Sequence, residues 1–142
     1  MIIKSISQIL DSRPLWSITP DTSAREACVA LSKANVGALA VMDDGQLIGV
    51  LSERDVIKKC VALGRRTDET LVRDIMTADP VTVTPDATLA DALKAMLDGA
   101  FRHLPVVQDG QVKGMLSMRD IPTEYRLMFE RYSEYRDGEA AA

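Results

Sequence analysis

A heptapeptide of the form Gly-x-Leu-Ser-x-Arg-Asp occurs twice in this chain of 142 residues, 65 positions apart. It reads GVLSERD at 49–55 and GMLSMRD at 114–120. Aligned at this offset without a gap, segments 18–56 and 83–121 carry the same residue at about fifteen positions. One copy is too short to bury a comfortable core alone. We therefore expect two copies of one unit that pack against each other.

Each copy begins its main helix with a pattern typical of a capping box. Ser23 is followed three residues later by Glu26, and Thr88 is followed in the same way by Asp91. Apolar residues then recur at i, i+3, i+4 and i+7 in both copies, which indicates an amphipathic helix facing a core.

A hairpin is predicted after each of these helices. The apolar runs ALAVM at 38–42 and LPVV at 104–107 are each followed by Asp-Gly-Gln and a second apolar run. Asp-Gly between two such runs is typical of a tight hairpin. Segments 16–19 and 81–84 predict a short strand before the main helix of each copy.

The predicted unit is thus β-α-β-β-α, because Ser52 and Ser117 each open a further helix. The fold class is α+β, with repeats over residues 1–66 and 67–126 and a helical, frayed tail over 127–142. The polar segment 64–72 is expected to link the repeats. Since proline is poorly tolerated inside a helix, Pro122 predicts a helix that bends or restarts there.

The heptapeptide has two interpretations. Ser-x-x-Asp before an apolar residue is a capping box, and a glycine before it marks close approach of the backbone. This interpretation needs no ligand for Ser52, Asp55, Ser117 or Asp120.

The second interpretation is a ligand site. A helix N-terminus favours an anion, and a carboxylate with a hydroxyl matches the paired hydroxyls of a ribose. The arginine before each aspartate, Arg54 or Arg119, could hold a phosphate through its planar fork. Helix capping alone does not require arginine at this place twice.

The repeated unit, DIMTADPVTVTPD at 74–86, FRHLPVV at 101–107 and the two heptapeptides together resemble a tandem pair of cystathionine-β-synthase (CBS) domains. The resemblance covers about residues 5–125. It implies a pseudo-twofold pair with two clefts between the repeats. It also implies ligands that contain adenosine: AMP, ADP, ATP, NAD or S-adenosylmethionine.

The resemblance also implies roles for individual residues. Ribose would contact Ser52 and Asp55 in one cleft and Ser117 and Asp120 in the other. Phosphate would contact the basic residues Arg54, Arg102, His103 and Arg119. Adenine would lie near Ile18, Val81 and Val83. The first repeat has Gly37 and Ala38 in place of Arg102 and His103, so one cleft is expected to be weaker or specialised.

Charge and composition exclude several function classes. The net charge of −4 and the pI near 5.0 give no basic footprint for nucleic acid. No apolar run approaches 18 residues and the N-terminus lacks a secretory pattern, so no membrane association and a cytoplasmic location are expected. The two cysteines make no metal set. A single histidine without a nucleophile motif predicts that the chain is not an enzyme and needs no catalytic cofactor or metal.

The expected function is a regulatory module that senses an adenosine nucleotide and signals to a partner protein in trans. The alternative is an interaction or dimerisation scaffold with vacant clefts. Aromatic and apolar residues recur at helical spacing in the tail, which predicts packing on the chain's own core or in a homodimer.

Overall fold

The computed structural model describes residues 3–141, in which a β-α-β-β-α plan appears twice. The first half contains α1 (Ile6–Leu10), β1 (Ser17–Ile18), α2 (Ala24–Ala34), β2 (Ala38–Asp43), β3 (Gln46–Ser52) and α3 (Glu53–Val56), which continues as a π-helical turn over Ile57–Val61. The second half contains α4 (Val72–Ile75), β4 (Thr77–Ala78), α5 (Leu89–Gly99), β5 (His103–Gln108), β6 (Gln111–Ser117), a 3-10 turn over Met118–Asp120, and α6 (Thr123–Ala141). The predicted α+β class is confirmed.

The main helix of each half starts where the sequence predicts. The hydroxyl of Ser23 accepts a hydrogen bond from the backbone N–H of Glu26, at 3.1 Å. Thr88 and Asp91 form a complete capping box, with backbone-to-side-chain distances of 3.0 and 3.2 Å. Donors that would be left without a partner in the first turn are satisfied in this way.

The two hairpins have the same turn. Asp44 and Gly45 have φ values of 49° and 75°, and Asp109 and Gly110 have φ values of 52° and 76°. Two successive positive φ values suit the tight turn that matches the twist of the flanking strands. Strand β2 then pairs antiparallel with β3, and β5 with β6, with a register shift at the equivalent place in each hairpin.

The predicted strands before the main helices differ between the halves. Strand β1 pairs in parallel with β2. The segment at 81–84 contributes only an isolated parallel bridge between Val83 and Val106. The preceding residues instead form β4, which pairs antiparallel with β3 of the first half. The chain thus extends the first sheet before it crosses to the second, which leaves little length for the predicted strand.

Two short helices, one from each half, pack in the core of the opposite half. Helix α1 buries Ile6 and Leu10 in the core of the second half, whereas α4 buries Val72 and Ile75 in the core of the first half. Fully burying such a side chain contributes about 1.5–3 kcal/mol. The predicted division between residues 66 and 67 follows the sequence repeat, and the packing of these helices crosses it.

The glycine of each heptapeptide lies against α1 or against the residues that directly follow α4. A β-carbon at Gly114 would lie 3.0 Å from Cδ2 of Leu10. A β-carbon at Gly49 would lie 2.7 Å from Sδ of Met76 and 2.9 Å from the carbonyl oxygen of Thr77. Close approach, not an unusual φ, therefore requires glycine at both positions, as the capping interpretation expects.

The end of the chain follows the prediction made from Pro122. Ser117 opens a single 3-10 turn, and a new helix, α6, starts at Thr123. Tyr125 and Phe129 of α6 pack against the second core, while Met128 is exposed. No helix within residues 3–141 has the length and apolar character needed to cross a bilayer.

Candidate functional site

Two clefts lie between the halves, and residues from both halves line each of them. The larger, which we call the first cleft, has a volume of about 750 Å³. The second cleft has a volume of about 410 Å³. Each contains one copy of the Ser-x-Arg-Asp end of the heptapeptide, because β3 and β6 both end at a cleft.

Most residues that the sequence singles out lie in these clefts. The first cleft is lined, among others, by Ser52, Arg54, Asp55, Val81, Arg102 and His103. The second is lined, among others, by Ser117, Arg119, Asp120 and again His103. Ile18 and Val83 line neither cleft and pack against the first and second cores.

Trp16 is a cleft residue that the sequence reasoning missed. It lines the second cleft and remains 46% exposed. In the repeat alignment it takes the position of Val81, which lines the first cleft and is 54% exposed. The same 65-residue offset could have found it.

Asp55 is the most buried acidic side chain of the first cleft, and the residue is only 8% exposed. Its Oδ2 accepts a hydrogen bond from the backbone N–H of Ser52 at 3.0 Å, and the hydroxyl of Ser52 accepts one from the N–H of Asp55 at 3.1 Å. Its Oδ1 lies 3.0 Å from Nζ of Lys59 and 3.4 Å from Oγ1 of Thr77. The predicted capping box is therefore formed, with additional donors on the second oxygen.

Asp120 has a different partner in the second cleft. Its Oδ2 accepts from the N–H of Ser117 at 2.7 Å. Arg13 donates one hydrogen bond from each terminal nitrogen to the two carboxylate oxygens, both at 2.9 Å. This bond raises the pKa of Arg13, although partial burial opposes the shift. The contact is not predictable from a local sequence pattern, because 107 residues separate the partners.

Capping does not exhaust the bonding capacity of these side chains. The hydroxyl of Ser52 accepts a backbone hydrogen bond and keeps its own proton for donation. A carboxylate offers about four lone-pair sites, so Asp55 can accept further hydrogen bonds. The capping geometry is thus compatible with a ligand in the first cleft.

Three cations line the first cleft: Arg54, Lys58 and Arg102. None of them forms an ion pair with another side chain among residues 3–138. In the second cleft, Gly37 and Ala38 replace Arg102 and His103 of the repeat, as the sequence shows. The two clefts therefore differ in how their charge is arranged.

His103 belongs to both clefts. Burial lowers the pKa of its imidazole. Glu53 and Asp120 oppose that shift, whereas Arg102 and Arg119 add to it. The ring is therefore mostly neutral near pH 7, with one nitrogen that donates and one that accepts.

Neither a metal site nor a reactive thiol is supported by the described part of the chain. No group of three or more histidine, cysteine, aspartate or glutamate side chains that could hold a metal ion is found there. Cys28 and Cys60 are free thiols, and Cys60 is buried in the first core. Burial raises the pKa of Cys28, which lowers its reactivity.

Comparison with known proteins gives matches along nearly the whole chain. The family model for the CBS domain matches residues 6–62 and again residues 72–124. A mitochondrial CBS domain-containing protein of Arabidopsis thaliana, CBSX3, is 35% identical in an alignment of 146 positions. This alignment covers 96% of this chain and 70% of the relative.

Solved structures show the same architecture. A candidate signal-transduction protein with CBS domains from Burkholderia ambifaria superimposes with a TM-score of 0.78 at 30% identity, over 82% of this chain and 90% of the other. A CBS domain protein from Pyrobaculum aerophilum complexed with AMP superimposes with a TM-score of 0.79 at 28% identity, over 92% and 99% of the two chains.

Proposed function

This chain belongs to the CBS domain family as a tandem pair, and from that premise we propose that it is a regulatory module that binds an adenosine nucleotide and signals to a partner protein. The proposed site is the first cleft. The similar protein from Pyrobaculum aerophilum, which is complexed with AMP, supports this ligand class.

The observation that carries the proposal is the composition of the first cleft. It joins a hydroxyl and carboxylate pair, Ser52 and Asp55, to cations that form no ion pair with another side chain among residues 3–138 and to the exposed side chain of Val81. A nucleotide has the same three parts: a ribose with two hydroxyls, an anionic phosphate and an apolar base. The cleft volume of about 750 Å³ lies in the range of small-molecule sites.

Each part of the ligand then has a proposed contact. Ser52 and Asp55 bind the ribose, and Arg54 and Arg102 bind the phosphate, with His103 as a neutral hydrogen-bonding neighbour. Val81 contacts the adenine. Ser117, Asp120 and Arg119 have the corresponding roles in the second cleft, where Trp16 offers the apolar surface. Ile18 and Val83 pack against the cores and have no proposed contact with the ligand.

The charges of the first cleft do not rank the members of the ligand class. Arg54, Lys58 and Arg102 are balanced there by Glu53, Asp55 and Asp79. The proposed ligand class therefore keeps AMP, ADP, ATP, NAD and S-adenosylmethionine.

We also propose that the bound nucleotide is not turned over. The sequence has one histidine and no nucleophile motif. Calorimetry with AMP, ATP, NAD and S-adenosylmethionine tests binding, and analysis of each nucleotide after incubation with the protein tests turnover. Heat with a phosphate-containing ligand and unchanged nucleotide are expected. Steady conversion would contradict the regulatory role.

A second candidate function is an interaction scaffold, and exposed apolar side chains favour it. They lie on the turn after α3 and on α6, and they are Ile57, Val61, Leu63, Leu127, Met128 and Tyr132. Such surface is typical of contacts between chains, and we propose a homodimer. Light scattering at tens of micromolar should give twice the mass of one chain. Dimer formation without calorimetric heat from any nucleotide would favour the scaffold.

A further inference from the structure

The loop between α1 and β1 delivers Arg13 into the second cleft. Its fork donates to both oxygens of Asp120, and the two side chains are 38% and 14% exposed. A ribose bound as proposed would need hydrogen bonds to these same two oxygens. With the N–H of Ser117, the guanidinium fills three of the about four lone-pair sites of this carboxylate, so a ribose that donates two hydrogen bonds to Asp120 must displace at least one bond of Arg13.

The loop holds Arg13 firmly in this place. On one side α1 anchors it through Leu10, which packs in the second core, and the N–H of Arg13 donates to the carbonyl oxygen of Leu10 at 3.0 Å. On the other side Pro14 also lines the cleft. Because the fork is planar and already positioned, little conformational freedom is lost when its two hydrogen bonds form.

The first cleft has no equivalent of this contact. Allowing for one slipped residue between the repeats, Asp79 takes the place of Arg13, and a carboxylate cannot donate a hydrogen bond to Asp55. The cation that does approach Asp55 is Lys59, a flexible side chain that contacts Oδ1 at a single point and is 44% exposed. Oδ2 of Asp55 accepts only from the backbone N–H of Ser52.

We propose that Arg13 determines the order in which the two clefts fill. A nucleotide enters the first cleft by displacing at most the flexible Lys59 from Asp55, whereas it enters the second only after its ribose has displaced the guanidinium fork from Asp120. The exchange breaks two hydrogen bonds between Arg13 and Asp120 and replaces them with hydrogen bonds from the ribose hydroxyls. This inference rests on the proposed function, because it takes Asp120 as a ribose-binding residue.

Calorimetric titration of the full chain with AMP tests the order of filling. The original protein should bind one AMP per chain in a tight phase and a second at least about tenfold more weakly. Arg13→Ala should strengthen the weak phase about tenfold, the size of effect expected for a charged hydrogen-bonding partner. Asp55→Asn should weaken the tight phase about tenfold or more and leave the weak phase unchanged. Arg66→Ala is the matched control, because Arg66 pairs with Asp68 outside both clefts.

Further measurements separate competition from loss of structure. Arg13→Gln keeps most of the side chain but removes the charged fork, so it should also strengthen the weak phase of AMP binding. It takes the place of Arg13→Ala in the titration if that variant does not fold. Since His103 lines both clefts and is the single histidine, the NMR resonances of its ring should shift in two steps as AMP is added to the original protein.

The possible outcomes distinguish this inference from the proposed function. Two equal AMP sites in the original protein would overturn the inference and leave the proposed function intact. A weaker second phase in Arg13→Ala and Arg13→Gln would also overturn it and would make Arg13 a phosphate ligand. Failure of every variant to bind AMP would overturn both.

Discussion

The imidazole of His103 lies directly against Gly37, so that a β-carbon at position 37 would be 3.0 Å from both Cε1 and Nε2 of the ring. Both residues line both clefts. This contact is therefore part of the wall that the two clefts share.

The buried state of His103 predicts a pH-dependent stability. Burial lowers the pKa of the folded imidazole below 6.5, so the unfolded chain binds the proton more readily. This contribution to the free energy of unfolding is complete above pH 6.5 and is lost as the pH falls through the folded pKa. Because the chain has one histidine, an NMR titration measures this pKa directly. A folded value at or above 6.5 would contradict the prediction.

His103→Gln provides the control for this pH effect. The variant should lose the part of the stability change between pH 7 and 5 that the original protein owes to the imidazole. AMP should raise the pKa of His103 in the original protein if a phosphate lies beside the ring, since a nearby negative charge favours the protonated form.

Asp55→Asn should weaken adenosine and AMP equally, because both ligands carry the ribose. A hydrogen bond to a charged group contributes about 1.5–3 kcal/mol, so the loss in affinity should be about tenfold or more. The change also weakens a helix cap. Asp91→Asn is the matched control, because Asp91 caps α5 through the same box and lines neither cleft. If Asp55→Asn lowers the melting temperature but keeps full affinity, Asp55 only caps its helix.

Arg102→Ala should weaken AMP about tenfold and leave adenosine almost unchanged, because adenosine lacks the phosphate. Arg119→Ala should do the same for the second cleft, and His103→Ala should have a smaller effect because its ring is mostly neutral. Arg65→Ala, an exposed arginine outside both clefts, should change neither ligand. Equal losses for adenosine and AMP in Arg102→Ala would refute the phosphate role.

Gly114→Ala should destabilise the fold by about 1–3 kcal/mol, the usual cost of overpacking. Its new β-carbon would press on Leu10 at 3.0 Å and push α1 away from the second core. Chemical denaturation measures the change. Gly138→Ala is the control: nothing lies near its β-carbon, and alanine in a helix should instead stabilise α6 by about 0.5–1 kcal/mol. An unchanged free energy of unfolding for Gly114→Ala would mean that α1 packs only loosely on the second core.

Local chemistry made much of the fold predictable. The caps at Ser23 and Thr88 and the Asp-Gly turns depend on residues only a few positions apart, and the repeat doubled each observation. The exchange of α1 and α4 was not predictable in this way. Helices of five and four residues are too short to show a period. Their partners also lie far along the chain.

The candidate site shows the same division. Most of the residues that the heptapeptides and the start of β5 pointed to lie in a cleft, but they make up only part of each lining. Ile18 and Val83 were expected near the adenine from the family resemblance, but which face of a short strand meets a cleft depends on the neighbouring sheet. The contact of Arg13 was not predictable, because no local pattern links it to Asp120.

The exchange of α1 and α4 has a consequence for synthesis of the chain. The first core needs only α4, so it can close soon after residue 75 leaves the ribosome. Helix α1, made first, has no surface to cover until β5 and β6 have been translated, because Ile6 and Leu10 pack on them. We therefore expect α1 to dock only after β6 has been made, and its docking to bring Arg13 into the second cleft.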